Sequence, residues 1–322
     1  MSASETGVTI GVDIGGTKIA AGVVDAQGSI LRTARRPTPR NDAGAVLSEV
    51  GEVVNELQAE VDGTIVGVGV GVAGGVDQSR SLVYFAPNLA WSQVPVRAVV
   101  EAATGLPVVV ENDGAAAAWA ETRFGAGVGL QHVVMVTVGT GIGGGIVVAG
   151  QVMRGAHGVA AEIGHLNAVP GGRLCGCGRN GCWEQYASGN ALVREARELA
   201  ADRRPEAGIL LELGDGTPEG VQGAHITAAA QRGDPIAMEA FSNVGTWLGR
   251  GLADLTAVVD PDAFVIGGGV SDAGDLLLVS AQRTLSNSVF GGDNRPQPRL
   301  LLARLGNDAG IVGAADLARV GR

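Results

Sequence analysis

Apolar and polar positions along this chain fall into two alternating rhythms. Val8–Asp13 alternates as a short strand, turns through Ile14-Gly15-Gly16-Thr17-Lys18, and returns as Ile19–Asp25, with a third strand at Ile30–Arg35. Val46, Val50, Val53, Leu57 and Val61 then recur at helical spacing, which predicts an amphipathic helix over Ala43–Val61. Ile65–Val72 reads as a buried strand, Val96, Val99 and Val100 line a helix ending near Gly105, and Pro107–Val110 is a strand delivering Glu111-Asn112-Asp113 to an alanine-rich helix, Gly114–Thr122. The opening rhythm then returns: strand Val133–Val138, a glycine turn Gly139–Gly145, and a returning strand Ile146–Gly150. The segments 8–24 and 134–150 are a weak internal repeat, each presenting a glycine hairpin.

Further on, Leu192–Ala201 is a predicted helix and Asp202–Gln222 a mobile loop rich in Gly, Pro and charge. Asp234-Pro235 caps a long helix running to about Val258, with proline in the first turn where its missing N–H costs nothing. A strand at Ala263–Ile266 closed by Gly267-Gly268-Gly269, a helix near Gly274–Val289, a strand near Arg299–Ala303 and a closing helix Asn307–Arg319 complete the chain. Strands alternate with helices, so the fold class is α/β.

Composition narrows the function. Aromatics make up 3% of 322 residues and glycine accounts for 53, so the core is built of Val, Ala, Leu and Ile with many tight turns. A formal net charge of −10 argues against a phosphate-backbone binder, so no nucleic-acid partner is expected. Met1–Gly7 is short and polar with Glu5, so no secretory leader is expected either. Val133–Met153 is uncharged and long enough to span a membrane, but its glycine-rich middle favours strand–turn–strand. A soluble, cytoplasmic protein is the expectation, and few cysteines fit a reducing compartment.

All three cysteines, Cys175, Cys177 and Cys182, lie in one short stretch, ten positions after His165. Thiolate and imidazole are zinc ligands, so the four residues read as a Cys₃His structural zinc site. Free thiols, or a disulfide with one cysteine left over, are the alternatives. Glu162 and Glu184 stand just outside this set, either gripping a polar ligand or lying on the surface like most glutamates.

The turns Gly15-Gly16-Thr17-Lys18 and Gly139-Thr140-Gly141 suit phosphate, because inward amides, a threonine hydroxyl and close backbone approach all favour it. Two of them in a repeated unit suggest a nucleotide. Gly11–Lys18 is not a P-loop, since lysine does not precede the threonine and a strand follows. Gly69-Val70-Gly71-Val72-Ala73-Gly74 matches a dinucleotide fingerprint, but no helix follows it. Asp113 sits where a strand meets a helix. Either it or Asn112 is a cap, or its carboxylate accepts a hydroxyl proton in phosphoryl transfer.

Taken together, GVDIGGTK, GVGVGVAGGVD, PNLAW, ENDGAAAAWAE, GTGIGGG, EIGH and CGCGRNGCWE resemble the ROK family of repressors and sugar kinases, and within it the bacterial glucokinases of actinobacterial type. The resemblance implies a two-lobed actin-like ATPase (ribonuclease H-like) fold with a central cleft. A small lobe would span 1–111 plus 303–322 and a large lobe 112–302. A homo-oligomer is expected independently, with a dimer the default for a cytosolic enzyme of this size and a tetramer the alternative. It implies that Asp13, Gly15, Gly16, Thr17 and Lys18 form the first phosphate loop, Gly139, Thr140 and Gly141 the second, and Gly268 and Gly269 part of an adenosine pocket. Asn88, Asn112, Asp113, Glu162, His165 and Glu184 match the sugar-binding positions, with Asp113 the base and His165 also a zinc ligand. The implied reaction is ATP plus glucose to glucose 6-phosphate, with Mg²⁺ on the nucleotide and structural Zn²⁺. Rival readings are a kinase of another hexose or an N-acetylhexosamine, a polyphosphate-dependent enzyme, an actin-like ATPase without a sugar substrate, and a sugar-responsive repressor. The repressor would need a helix-turn-helix segment ahead of the first strand.

Overall fold

The computed structural model describes residues 7–39 and 42–321; residues 1–6, on which the expectation about a leader rests, lie outside the described residues. The chain divides into two compact units, one made of Met1–Met135, Gly145–Ala161 and Ala303–Arg322, the other of Val136–Gly144 and Glu162–Leu302.

The first unit is built on a five-stranded sheet. Strands β1 (Val8–Ile14), β2 (Lys18–Val24) and β3 (Ile30–Pro37) form an antiparallel meander, and β4 (Ile65–Val72) and β8 (Val108–Asn112) add in parallel, giving the order β3-β2-β1-β4-β8. One face carries α1 (Ala43–Ala59) and α2 (Val96–Thr104), whose Val46, Val50, Leu57 and Val100 meet Ile10, Val12, Val68 and Val70 in a buried cluster. The predicted helix α1 and strand β4 appear essentially where the periodicity puts them.

The other face carries α3 (Asp113–Phe124) and the closing helix α10 (Ala309–Val320), and here glycine decides the packing. A Cβ at Gly11 would stand 1.9 Å from the Ile311 carbonyl oxygen, and one at Gly69 would stand 1.7 Å from that of Ala314. The alternating glycines of β4 therefore let α10 lie directly on the backbone of the sheet. This is the physical meaning of the glycine fingerprint at Gly69–Gly74, which belongs to a strand and its exit and holds no dinucleotide loop.

Between β4 and α2 a small sheet of β5 (Gly75–Val76), β6 (Val83–Ala86) and β7 (Trp91–Val94) escapes the sequence pattern, because its strands are two to four residues long. It carries Asn88 on the 3₁₀ turn Pro87–Leu89.

A second five-stranded sheet has the order β11-β10-β9-β12-β13, from β9 (Val133–Val138), β10 (Ile142–Val148), β11 (Gln151–Val152), β12 (Ala263–Gly267) and β13 (Arg299–Leu302). Read by rank along the chain, both sheets run third, second, first, fourth, fifth. The weak repeat is thus a repeated topology, with a glycine turn joining the first two strands each time. Val133–Met153 is strand, turn and strand, and no described helix is long and apolar enough to cross a membrane.

The glycine turn is shorter than expected. It ends at Gly141, and Gly143–Gly145 belong to β10. Those glycines serve packing: a Cβ at Gly145 would come within 2.4 Å of the Gly114 carbonyl oxygen on α3.

In the second unit α4 (Glu184–Ala187) and α5 (Gly189–Asp202) are followed by structure where a loop was expected, a 3₁₀ turn at Arg204–Glu206 and α6 (Gly208–Leu213). Fully buried Leu210 and the Asp234 carboxylate, which accepts its N–H at 3.0 Å, hold this segment. Next come α7 (Gly223–Gln231), α8 (Pro235–Val259) and α9 (Asp275–Ser288). Asp234 caps α8 through the Ala237 N–H at 3.0 Å, as the Asp-Pro signal predicts. Helices α8 and α9 meet closely at Gly245 and Gly249, where added Cβ atoms would lie 2.6 and 2.4 Å from carbonyl oxygens of α9.

Candidate active site and metal centre

Parallel strands end together, and in the first unit the carboxyl ends of β1, β4 and β8 bring Asp13, Gly71 and Glu111 into one row of the sheet. Gly71 matters because it has no side chain: a Cβ there would sit 3.9 Å from both Asp13 Oδ1 and the Asp113 Cα. The Asp13 carboxylate and the Asp113 backbone therefore border a position that carries no side chain.

The capping question has a definite answer. Asn112 is the cap of α3, its side-chain oxygen accepting the Ala115 N–H at 3.0 Å while its amide donates to the Gly74 carbonyl at 3.2 Å. Asp113 occupies the first helical turn, where the helix dipole favours a negative charge. Asn112 keeps a second amide hydrogen and a lone pair for other partners.

Burial pushes the Asp13 carboxyl up to about 6; the Asp113 charge adds to this and Lys18 opposes it. Asp113 is also raised by burial, partly offset by the amides of Gly114 and of Asp113 itself. A carboxylate raised in this way is a better proton acceptor near neutral pH than an exposed one.

The turn Gly15–Lys18 closes through the Gly15 N–H to the Lys18 carbonyl at 3.0 Å. Thr38, which sequence reasoning missed, fixes it from behind: its hydroxyl donates to the Gly15 carbonyl at 2.7 Å and its N–H to that of Thr17 at 3.1 Å. Gly16, Thr17 and Lys18 are exposed, and Asn88 lies beside the turn, 3.7 Å from where a Gly16 Cβ would be.

In the second unit Gly139–Gly141 has the same character. The carbonyls of Gly139 and Thr140 are taken by the N–H groups of Gly189 and Asn190 at the start of α5, at 2.8 and 3.3 Å. A Cβ at Gly139 would meet nothing within 4 Å, so that residue faces open space. Gly268 has a φ of 85°, and an added Cβ would strike Val138 backbone atoms at 2.6–2.8 Å, whereas Gly269 is open. Gly268 is therefore required by the backbone, and Gly269 is the better placed of the two to meet a ligand.

The cysteine stretch is wrapped tightly. Gly164 lets the 3₁₀ turn Ile163–His165 pass β10, since a Cβ would fall 2.1 Å from the Ile142 carbonyl oxygen. Trp183, 1% exposed, anchors the far end, with its indole N–H donating to the Trp247 carbonyl at 2.8 Å. Between these fixed points the side-chain ligand atoms of His165, Cys175, Cys177 and Cys182 lie within 4.8 Å of one another.

The distances suit zinc. Bonds of about 2.3 Å to sulfur and 2.0–2.1 Å to nitrogen, at tetrahedral angles, give edges of roughly 3.7 Å between sulfurs and 3.6 Å from sulfur to nitrogen. Cys177 and Cys182 sulfurs are 3.6 Å apart, and Cys175 Sγ is 3.7 Å from His165 Nδ1. The cysteines are free of disulfide pairing.

Glu184 links this centre to the second turn: Oε1 lies 2.9 Å from Cys175 Sγ, and Oε2 accepts the Ile142 N–H at 3.4 Å. Glu162, exposed, opens the His165 turn, and its carbonyl accepts the His165 N–H at 3.1 Å. The expected site residues are thus gathered as Asp13, the first turn, Asn88, Asn112 and Asp113 in one unit, and the metal set, Glu162, Glu184, the second turn and Gly268-Gly269 in the other.

Known proteins resemble the chain throughout. The ROK family profile matches residues 9–320. A glucokinase from Streptomyces coelicolor is 53% identical over 313 residues, covering 97% of this chain and 98% of the relative. An N-acetylmannosamine kinase from Escherichia coli is 34% identical over 317 residues, covering 97% of this chain and 98% of that one. The crystal structure of a ROK family glucokinase from Streptomyces griseus in complex with glucose and AMPPNP superposes with a TM-score of 0.86 at 51% identity, covering 97% of this chain and 99% of the other.

Proposed function

The chain belongs to the ROK family, and from that premise we propose that it is an ATP-dependent glucokinase, transferring the γ-phosphoryl group of ATP to the 6-hydroxyl of glucose. The observation that carries the chemistry is the pair of raised carboxyls of Asp13 and Asp113, two residues that border Gly71 at a strand-end edge beside a glycine turn. A 53% identity to a Streptomyces glucokinase over 97% of this chain, and likeness to a glucokinase holding glucose and AMPPNP, support the choice of substrates.

Asp113 takes the proton of the 6-hydroxyl as that oxygen attacks the γ-phosphorus in line, and the bond to the ADP oxygen breaks. The proton then passes to solvent. The amides of Gly15-Gly16-Thr17 and Gly139-Thr140-Gly141, with Lys18, hold phosphate oxygens, and Gly268-Gly269 border the adenosine. Asn88, Asn112, Glu162, His165 and Glu184 fix the sugar hydroxyls, for which amide and carboxylate groups offer paired donors and acceptors. Asp13 would hold Mg²⁺ through water, which neutralises charge on the β- and γ-phosphates when bound. His165, Cys175, Cys177 and Cys182 would hold Zn²⁺, whose closed ligand set leaves it a structural part: it fixes the loop that carries Glu184. The functional lobes proposed from the family resemblance are 1–111 with 303–322, and 112–302, a division that differs from the compact units, which group 112–135 and 145–161 with the first.

A coupled assay of ADP release across a panel of sugars with ATP tests this reading. Glucose should give the highest kcat/KM. A tenfold or greater preference for N-acetylmannosamine, the substrate class of the Escherichia coli relative, would move the assignment to that kinase.

A further inference from the structure

Immediately before the Asn112-Asp113 pair stands an acid with no part in the reaction as drawn. Glu111 is 2% exposed, and among the described residues its carboxylate meets two arginines: Arg154 Nε at 2.9 Å and Arg80 Nε at 3.2 Å. Neither Glu111 Oε2 nor Arg154 Nε has an aligned hydrogen-bond partner, so the attraction is one of charge. The other carboxylate oxygen accepts the Asn112 N–H at 3.0 Å.

The arginines reach further. Arg154, with its side chain 8% exposed, donates to the carbonyls of Gln78 and Asp77 at 2.9 and 3.0 Å. Arg80 sits at a φ of 57°, in the left-handed region that favours glycine, and its carbonyl accepts the Val110 N–H at 3.1 Å. The turn 77–82 is itself braced by the Asp77 carboxylate, which accepts the N–H groups of Ser81 and Leu82, each at 2.7 Å. Three separated segments thus converge on one carboxylate: the end of β8 with Asn112 and Asp113, the turn 77–82 that opens the small sheet carrying Asn88, and the segment 145–161 that runs into Glu162.

A buried ion cluster of this kind is poor value as a source of stability, because desolvation offsets most of the attraction. Its effect is to fix geometry. An apolar cluster would pack as well but would leave the Asn112 amide and the Asp77 and Gln78 carbonyls without these partners.

We propose that Glu111, held by Arg80 and Arg154, is the positioning residue for the sugar-handling groups of the first unit, setting the place of Asn112 and Asp113 relative to the turn 77–82 and the segment ending at Ala161. This rests on the sugar-kinase reading for its functional consequence but not for its structural one. Misplacing a reacting group by about 1 Å costs on the order of 10²-fold in rate, so loosening this hub should be visible in turnover while the nucleotide-binding turns stay intact.

The test compares wild type with Glu111→Gln, which keeps shape and an acceptor for the Asn112 N–H but removes the charge. Amide hydrogen exchange reads the structural claim without any substrate: Asn112 and residues 154–161 should exchange at least about tenfold faster, with α1 and β1 unchanged. Kinetics read the functional claim: kcat for glucose should fall about 10- to 100-fold, with the affinity for AMPPNP within twofold of wild type. Unaltered exchange at Asn112 and 154–161, or unaltered kcat, overturns the proposal. A parallel loss of nucleotide affinity and of protection throughout the chain overturns it too, because the cluster would then be merely structural. If Glu111→Gln does not accumulate as folded protein, Arg154→Lys, which keeps the charge and loses the fork onto the two carbonyls, carries the same readouts. Wild type that fails to phosphorylate glucose would count against the kinase reading alone, since the exchange result stands apart from it.

Discussion

Two aspartates with the same chemistry are asked to do different things, and their surroundings distinguish them. Asp113 heads a helix whose capping is done by Asn112, so Asp113→Asn should leave the helix in place and remove only a proton acceptor. Turnover should drop by roughly 10²-fold or more with glucose affinity largely kept; near-normal turnover would leave Asp113 as a helix-terminal charge and nothing more. Asp13 is raised to about 6 by burial and by Asp113, so its charged form is disfavoured by folding. For an acid whose folded pKa lies above its unfolded value, stability is greatest at low pH and is lost as pH rises from about 4 through about 6. Asp13→Asn should therefore match wild type near pH 4 and be more stable at pH 7.5. A shift of about two units sets an upper bound of about 3 kcal/mol on the gain. Denaturant midpoints across that range check it, and a variant less stable than wild type at pH 7.5 would show that Asp13 is instead held by favourable contacts.

At the level of elements, the zinc proposed for the loop between His165 and Glu184 would fix that loop's shape, while the helices around it have their own core. Cys177→Ala should cost zinc and glucose affinity but little helical content, in contrast to zinc fingers, which unfold without metal. Elemental analysis of wild type should give about one zinc per chain for the single four-ligand set. Metal-free, fully active protein would reduce the cluster to neighbouring thiols. The gathering of His165, Cys175, Cys177 and Cys182 was legible in the sequence because cysteine and histidine spacing is itself the signal. The role of Glu184 in joining that set to the second glycine turn was not, because nothing in sequence spacing tells which amide a carboxylate will reach. Likewise Ala43–Ala59 and Ile65–Val72 follow directly from periodicity, whereas the small sheet around Asn88 has strands too short to show any. The segment Gly208–Leu213 was hidden for a different reason: its helix is held by a long-range bond to Asp234, while its local composition resembles a loop.

Across the whole molecule, one design recurs. Each sheet has the same strand order and places a glycine turn between its first two strands, with the carbonyls of both turns engaged by other parts of the protein. The glycine count, which looks at first like a sign of loops, is largely a means of close approach. Helix α10 rests on Gly11 and Gly69, α3 on Gly145, and α9 on Gly245 and Gly249. Of these, sequence alone put Gly145 in a turn and the others inside strands or a helix with no packing role, since close packing by a distant helix leaves no local mark. Such packing gives rigid platforms for the two turns proposed to hold phosphate, and the reaction proposed for them is transfer to a sugar, as opposed to hydrolysis. The direct measurement is therefore the fate of the phosphoryl group. With γ-labelled ATP and glucose, label should appear in glucose 6-phosphate in equal amount to the ADP formed, and ADP formation should fall to a trace when glucose is left out. ADP released at the same rate without glucose, with label recovered as inorganic phosphate, would contradict a sugar kinase and leave a nucleotide hydrolase.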